Sequence, residues 1–212
     1  REQVDRGNGT YNDNAILYRT NAQSRIFEEK FVTANIPYKI VGGINFYARR
    51  EIKDLLCYLK TIDNGKDDLA VRRVINVPKR GIGLTSINRV QDYAAAYDIG
   101  FYDALLSADA IPNIGRGLSK LESFVALIEH FKVDAKDMTL SDLMQEILDV
   151  TGYIDSLMAE GPEEAEARIE NIDELRSKIA TYEETCEENN EPATLNGFLE
   201  EVALVADIDS LD

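Results

Sequence analysis

The sequence predicts a mainly α protein: a helical bundle containing a helix-hairpin-helix element, with a small α/β portion at the N-terminus. Three observations carry this. From Glu51 onward, apolar residues recur at helical spacing and most runs follow a residue able to cap a helix. Gly81-Ile82-Gly83 stands between two such runs. Before residue 50, β-compatible runs at 15–18 and 36–41 bracket a single helical pattern. With 212 residues, 44% of them hydrophobic, the chain can bury a sizeable core.

Taken in order, Asn14-Ala15-Ile16-Leu17-Tyr18 reads as a strand, and Thr20-Asn21 as the N-cap of a helix over 22–29. Ile36 to Val41, closed by Gly42-Gly43, reads as a second strand. These strands are expected to be short, loosely held or paired with a neighbouring molecule, because an unpaired edge recruits partners. Glu51 to Leu59 reads as helix from Ile52, Leu55, Leu56 and Leu59. Asp67-Asp68 caps a helix through Val74, Thr85 or Ser86 caps another through about Ala96, and Ser141 caps a third reaching about Val150. Leu127 to Phe131 lies on an amphipathic helix. Gly161-Pro162 introduces a long charged helix over Glu163 to Glu188, and Leu195 to Val205 closes the set. At the end of the charged helix and just beyond it, the acidic run Glu183 to Glu191 reads as an exposed helix end and loop.

The formal net charge of −16 is unevenly spread. Residues 1–90 hold 16 Lys and Arg against 10 Asp and Glu, a net of +6, and residues 91–212 hold 7 against 29, a net of −22. Two readings stand: the first part meets a polyanion while the second is a solvated helical body, or the acidic helices serve only solubility. No apolar run approaches a membrane span and the first residues do not form a signal peptide, so a cytoplasmic protein with no membrane partner is expected. Cys57 and Cys186 are far apart with no metal-type spacing, and read as reduced and structural. His130, the single histidine, reads as a surface or partly buried residue, and no metal site is expected.

The hairpin Val77-Pro78-Lys79-Arg80-Gly81-Ile82-Gly83-Leu84-Thr85-Ser86 carries the clearest functional pattern. Glycines at 81 and 83 permit positive φ and close approach of a ligand to the backbone. A helix starting just beyond them offers outward N–H groups and partial positive charge to a phosphate. Lys79 and Arg80 add attraction, and the hydroxyls of Thr85 and Ser86 can cap the helix or donate to a phosphate oxygen. Such a contact is independent of base sequence and steeply dependent on salt. A Gly-x-Gly pair alone is more often an ordinary turn. Neither it nor Gly115-Arg116-Gly117-Leu118-Ser119-Lys120 fits the nucleotide P-loop.

Three stretches, Ala15 to Lys60, Ile75 to Gly83 and Ala167 to Leu175, together resemble the UvrD/PcrA type of superfamily 1 DNA helicases in order and spacing. The resemblance implies a piece of an ATP-dependent 3′–5′ helicase acting in DNA repair or replication. It divides the chain into residues 1–46, a partial RecA-like motor domain 2A, and residues 47–212, the helical 2B subdomain. By the same resemblance Arg19 and Asn21 contact single-stranded DNA in the motor groove. Gly81, Ile82, Gly83 and Ser86 match the duplex-contacting hairpin, to which the reading of the residues adds Lys79, Arg80 and Thr85, and Arg168, Glu170, Asn171 and Glu174 match a structural network. The implied partners are double- and single-stranded DNA, the remaining helicase domains and repair proteins. ATP and Mg²⁺ belong to the full-length enzyme; no cofactor is expected in this chain, which lacks the family's phosphate-binding motifs and begins at Arg1, as an excised piece would. By itself the chain is expected neither to hydrolyse ATP nor to unwind DNA, and to act as a non-catalytic duplex-binding and regulatory subdomain. The alternative is a protein-interaction or autoinhibitory module with little DNA affinity.

Overall fold

A computed structural model describes residues 10–18, 24–39 and 46–208. Its helices are α1 (Ser24–Thr33), α2 (Arg50–Asp63), α3 (Asp68–Val74), α4 (Leu84–Tyr97), α5 (Phe101–Leu106), α6 (Leu118–Asp134), α7 (Leu140–Thr151), α8 (Tyr153–Glu160), α9 (Pro162–Glu188) and α10 (Leu195–Ile208). Among the described residues there is no strand. The expected strand at 15–18 is therefore corrected: its backbone pairs with nothing described, and Leu17 is 95% exposed. Residues 38 and 39 are irregular, while 40 and 41 lie outside the described residues, as do Thr20 and Asn21 of the expected cap.

α2 is the hub. Its apolar stripe, Ile52, Leu55, Tyr58 and Leu59, is buried, and the helix packs against α3, α6, α9 and α10. That stripe is the one visible in the sequence, extended by a turn at the C-terminal end. Asp67 caps α3 as expected, its carboxylate accepting from Ala70 N at 3.0 Å. Two other caps shift by two or three residues. Gly83, rather than Thr85 or Ser86, occupies the N-cap of α4, and Thr139, rather than Ser141, caps α7 by accepting from Asp142 N. Ser141 instead donates its hydroxyl to Glu183 of α9, whose carboxylate also accepts from the Leu140 and Ser141 N–H groups. The acidic run on α9 is thus not only a solvated end, because Glu183 satisfies the first N–H groups of a neighbouring helix.

A buried polar cluster ties α9 to the start of α2. Arg49 donates to Asn171 Oδ1 at 2.6 Å and to Ser24 Oγ at 2.9 Å, and Asn171 Nδ2 donates to Glu51 Oε1 at 2.5 Å. Asp54, 2% exposed, accepts from Arg73 Nε and from the Tyr153 hydroxyl. At the surface Glu160 clasps both Arg50 and Arg168. So the segment 168–174 is a pairing network in the bundle, with Glu170 exposed. Bonds from Arg50, then Arg168, hold the Glu160 carboxyl below its ordinary value of 4.5. The clasp therefore contributes fully above that ordinary value and fades as pH falls through the lowered one. Glu160→Gln should flatten the acid limb of a stability-versus-pH curve, with a small amplitude because the pair is exposed.

Candidate nucleic-acid interface

The loop between α3 and α4 is built from the inside by Asn76 and Arg80. Asn76 Oδ1 accepts from the N–H groups of Arg80 (2.8 Å) and Ile82 (3.3 Å), and its Nδ2 donates to Ile82 O at 3.2 Å. The Arg80 guanidinium turns inward and donates to the carbonyls of Val74 (2.8 Å), Ile75 (3.3 Å) and Val77 (3.1 Å), and to the Tyr58 hydroxyl. It lies over the rings of Phe124 and Tyr58, at 5.5 and 5.9 Å. It therefore serves the end of α3, whose last carbonyls have no intrahelical partner. Burial pushes the Tyr58 hydroxyl's pKa up, which keeps it neutral and able to donate to Val77 O. Ile82 is 3% exposed and joins the core.

What remains facing outward is Lys79, Gly81, Gly83, Leu84 and Thr85. Gly81 has φ +70, in the region that favours glycine, whereas Gly83 has φ −75 and ψ 151, extended backbone open to any residue. The expectation of positive φ therefore holds at one glycine and is corrected at the other. No side chain caps α4, so its first N–H groups are not claimed by Thr85 or Ser86.

The structure brings a second glycine pair to the same place. Gly115 to Gly117 forms a 3₁₀ turn leading into α6, also without a side-chain cap. Gly117 packs on Ser86 so closely that a Cβ there would collide with Ser86 Oγ. Lys120 Nζ donates to Gly81 O at 2.7 Å, and the Arg89 guanidinium donates to Asn113 O. Two loops and two uncapped helix N-termini thus stand side by side, with Lys79, Arg116 and Lys120 exposed around them. Sequence reasoning named the first loop and set the second aside for failing the P-loop pattern. The available signal was a second Gly-x-Gly with cations just before a helix. Arg19 and Asn21 lie outside the described residues.

Residues 2–211 match the family described as UvrD-like helicase C-terminal domain. The chain belongs to this family. Among relatives of this UvrD-like chain, the ATP-dependent DNA helicase PcrA of Bacillus subtilis (strain 168) is 43% identical over 206 residues, covering 97% of the chain. Proteins of the same name from Staphylococcus epidermidis (strain ATCC 12228 / FDA PCI 1200) and Staphylococcus aureus (strain Mu50 / ATCC 700699) are each 44% identical over 202 residues. The UvrD-like chain spans 27% of the length of each of these relatives. No helix among its described residues is long and apolar enough to cross a membrane.

Proposed function

We propose that this chain is a non-catalytic, duplex-DNA-binding and regulatory portion of an ATP-dependent 3′–5′ DNA helicase. Residues 47–212 would be the helical 2B subdomain and residues 1–46 part of motor domain 2A. The observation that carries the reading is the paired-loop face: Lys79, Gly81, Gly83 and Thr85 beside Arg116 and Lys120, in front of two uncapped helix N-termini. Backbone N–H groups and cations at such a face suit phosphate oxygens and read no bases. Arg80 and Ile82 support the face from within, and Ser86 joins its two loops. Single-strand contact falls to Arg19 and Asn21. ATP and Mg²⁺ belong to the motor portions of the helicase, with which this chain works as a partner.

Fluorescence anisotropy with a labelled duplex, across a salt series, tests the reading. Binding should weaken steeply with salt and be alike for unrelated sequences. Lys79→Ala and Arg116→Ala should each make the salt slope shallower by about one unit without changing stability. Absence of duplex binding at low salt would favour the second reading, a protein-interaction or autoinhibitory module, for which the net of −22 over residues 91–212 speaks.

A further inference from the structure

The single histidine sits in a cluster that the paired loops do not use. His130 and Asp134 lie one turn apart on α6, and Glu146 faces them from α7. His130 Nδ1 is 3.2 Å from Asp134 Oδ2, and its Nε2 is 3.3 Å from Glu146 Oε1. A neutral imidazole carries one N–H, so it can donate to only one of these carboxylates and turns a lone pair toward the other. Glu146 Oε2 is buried with no hydrogen-bond partner among the described residues. Neither carboxylate pairs with a lysine or arginine among the described residues. The cluster holds more acceptors and negative charge than its own donors satisfy.

We propose that His130, Asp134 and Glu146 bind a divalent transition-metal cation of the zinc class. One ligand atom from each residue lies within 4.8 Å of the other two. Bonds of about 2.0–2.2 Å to one ion require donor separations of roughly 3–4 Å, so binding requires the half-exposed imidazole to turn out from between the two carboxylates. Coordination through one ring nitrogen turns the other N–H away from the ion, toward solvent at this half-exposed position. A nitrogen donor with only three protein ligands suits Zn²⁺, Co²⁺ or Ni²⁺ rather than Ca²⁺ or Mg²⁺, which take more oxygen ligands. The ion ties α6 to α7 across residues 135–139 and stabilises the folded state by mass action.

The test is titration of chelator-treated protein with CoCl₂ and ZnCl₂, followed by calorimetry, visible Co²⁺ absorption and NMR of the imidazole, whose signals are unambiguous because the chain has one histidine. One equivalent of Co²⁺ should bind, with broadening of the His130 signals and a rise in Tm. His130→Ala and Glu146→Gln should each weaken binding at least tenfold, with circular dichroism confirming the fold. A doubly substituted Cys57→Ala, Cys186→Ala protein should bind as before. No saturable binding, Co²⁺ binding without effect on the His130 signals, or binding that survives His130→Ala or fails without the cysteines would overturn the proposal. Should Glu146→Gln fail to fold, the His130→Ala titration and the NMR signals decide.

Discussion

Arg80→Ala should lower stability by about 2–4 kcal/mol and abolish duplex binding together, whereas Lys79→Ala, one residue away, should alter only the binding. The two cations do different work. Lys79 is exposed, so losing it removes long-range attraction and little else. The Arg80 guanidinium serves three backbone carbonyls and the Tyr58 hydroxyl while covering the Phe124 ring. Its removal takes the guanidinium donor from Ile75 O and a second donor from Val74 O and Val77 O, which keep the Val77 N–H and the Tyr58 hydroxyl, and uncovers the Phe124 ring, so the cost exceeds the net worth of any one bond. Arg80→Lys should recover little of the loss, because a point charge cannot span the fork of contacts that a planar guanidinium makes. Tyr58→Phe, which deletes one partner, should cost about 1 kcal/mol. Urea unfolding of the four variants alongside duplex anisotropy separates these outcomes. A stable Arg80→Ala protein with a shallower salt slope would mean that Arg80 is a surface phosphate contact after all.

Adjacent lysine and arginine look alike in a sequence, and nothing in Val77 to Ser86 says which of them turns inward. That choice belongs to Asn76, which fixes the loop path by bonding both Arg80 and Ile82. The loop's position between helices was legible because it needs only local signals: helical periodicity on both sides, Asp67 as a cap and glycines between. The same local signals placed α2, α3, α9 and α10 within a few residues. The caps of α4 and α7 were misplaced because several capping residues stand together, and tertiary contacts decide among them. Ser141 is held by Glu183, 42 residues away, a pairing no local window contains. The second loop, Gly115 to Lys120, and the His130 cluster were missed for a similar reason. Each becomes significant only when packing sets it beside another element. The strand expected at 15–18 shows the converse, since β-compatible residues form a strand only when a partner strand lies alongside.

Substitution of the two hairpin glycines by valine should produce opposite lesions. Gly81 has φ +70, so a β-branched residue there is strained by roughly 1–3 kcal/mol, and its Cβ would stand 2.8 Å from Lys120 Nζ, dislodging the ammonium from Gly81 O. Gly81→Val should therefore destabilise the protein and loosen the join between the two loops. Gly83 has extended backbone, and a Cβ built on it meets no atom within 4 Å. Gly83→Val should fold with almost undiminished stability, losing a fraction of a kcal/mol from a poorer N-cap residue. If the uncapped start of α4 receives a phosphate, however, that free space is where the ligand backbone sits. Valine there blocks approach and should weaken duplex binding at least tenfold in a protein that is otherwise intact. The decisive comparison is thus Gly83→Val against Lys79→Ala across salt. The glycine variant should lose affinity at every salt concentration because the obstruction is steric, while the lysine variant's deficit should shrink as salt screens its charge. Full duplex affinity in Gly83→Val would reduce Gly81 to Ser86 to a connecting turn and leave the Arg116 and Lys120 loop to hold the DNA alone.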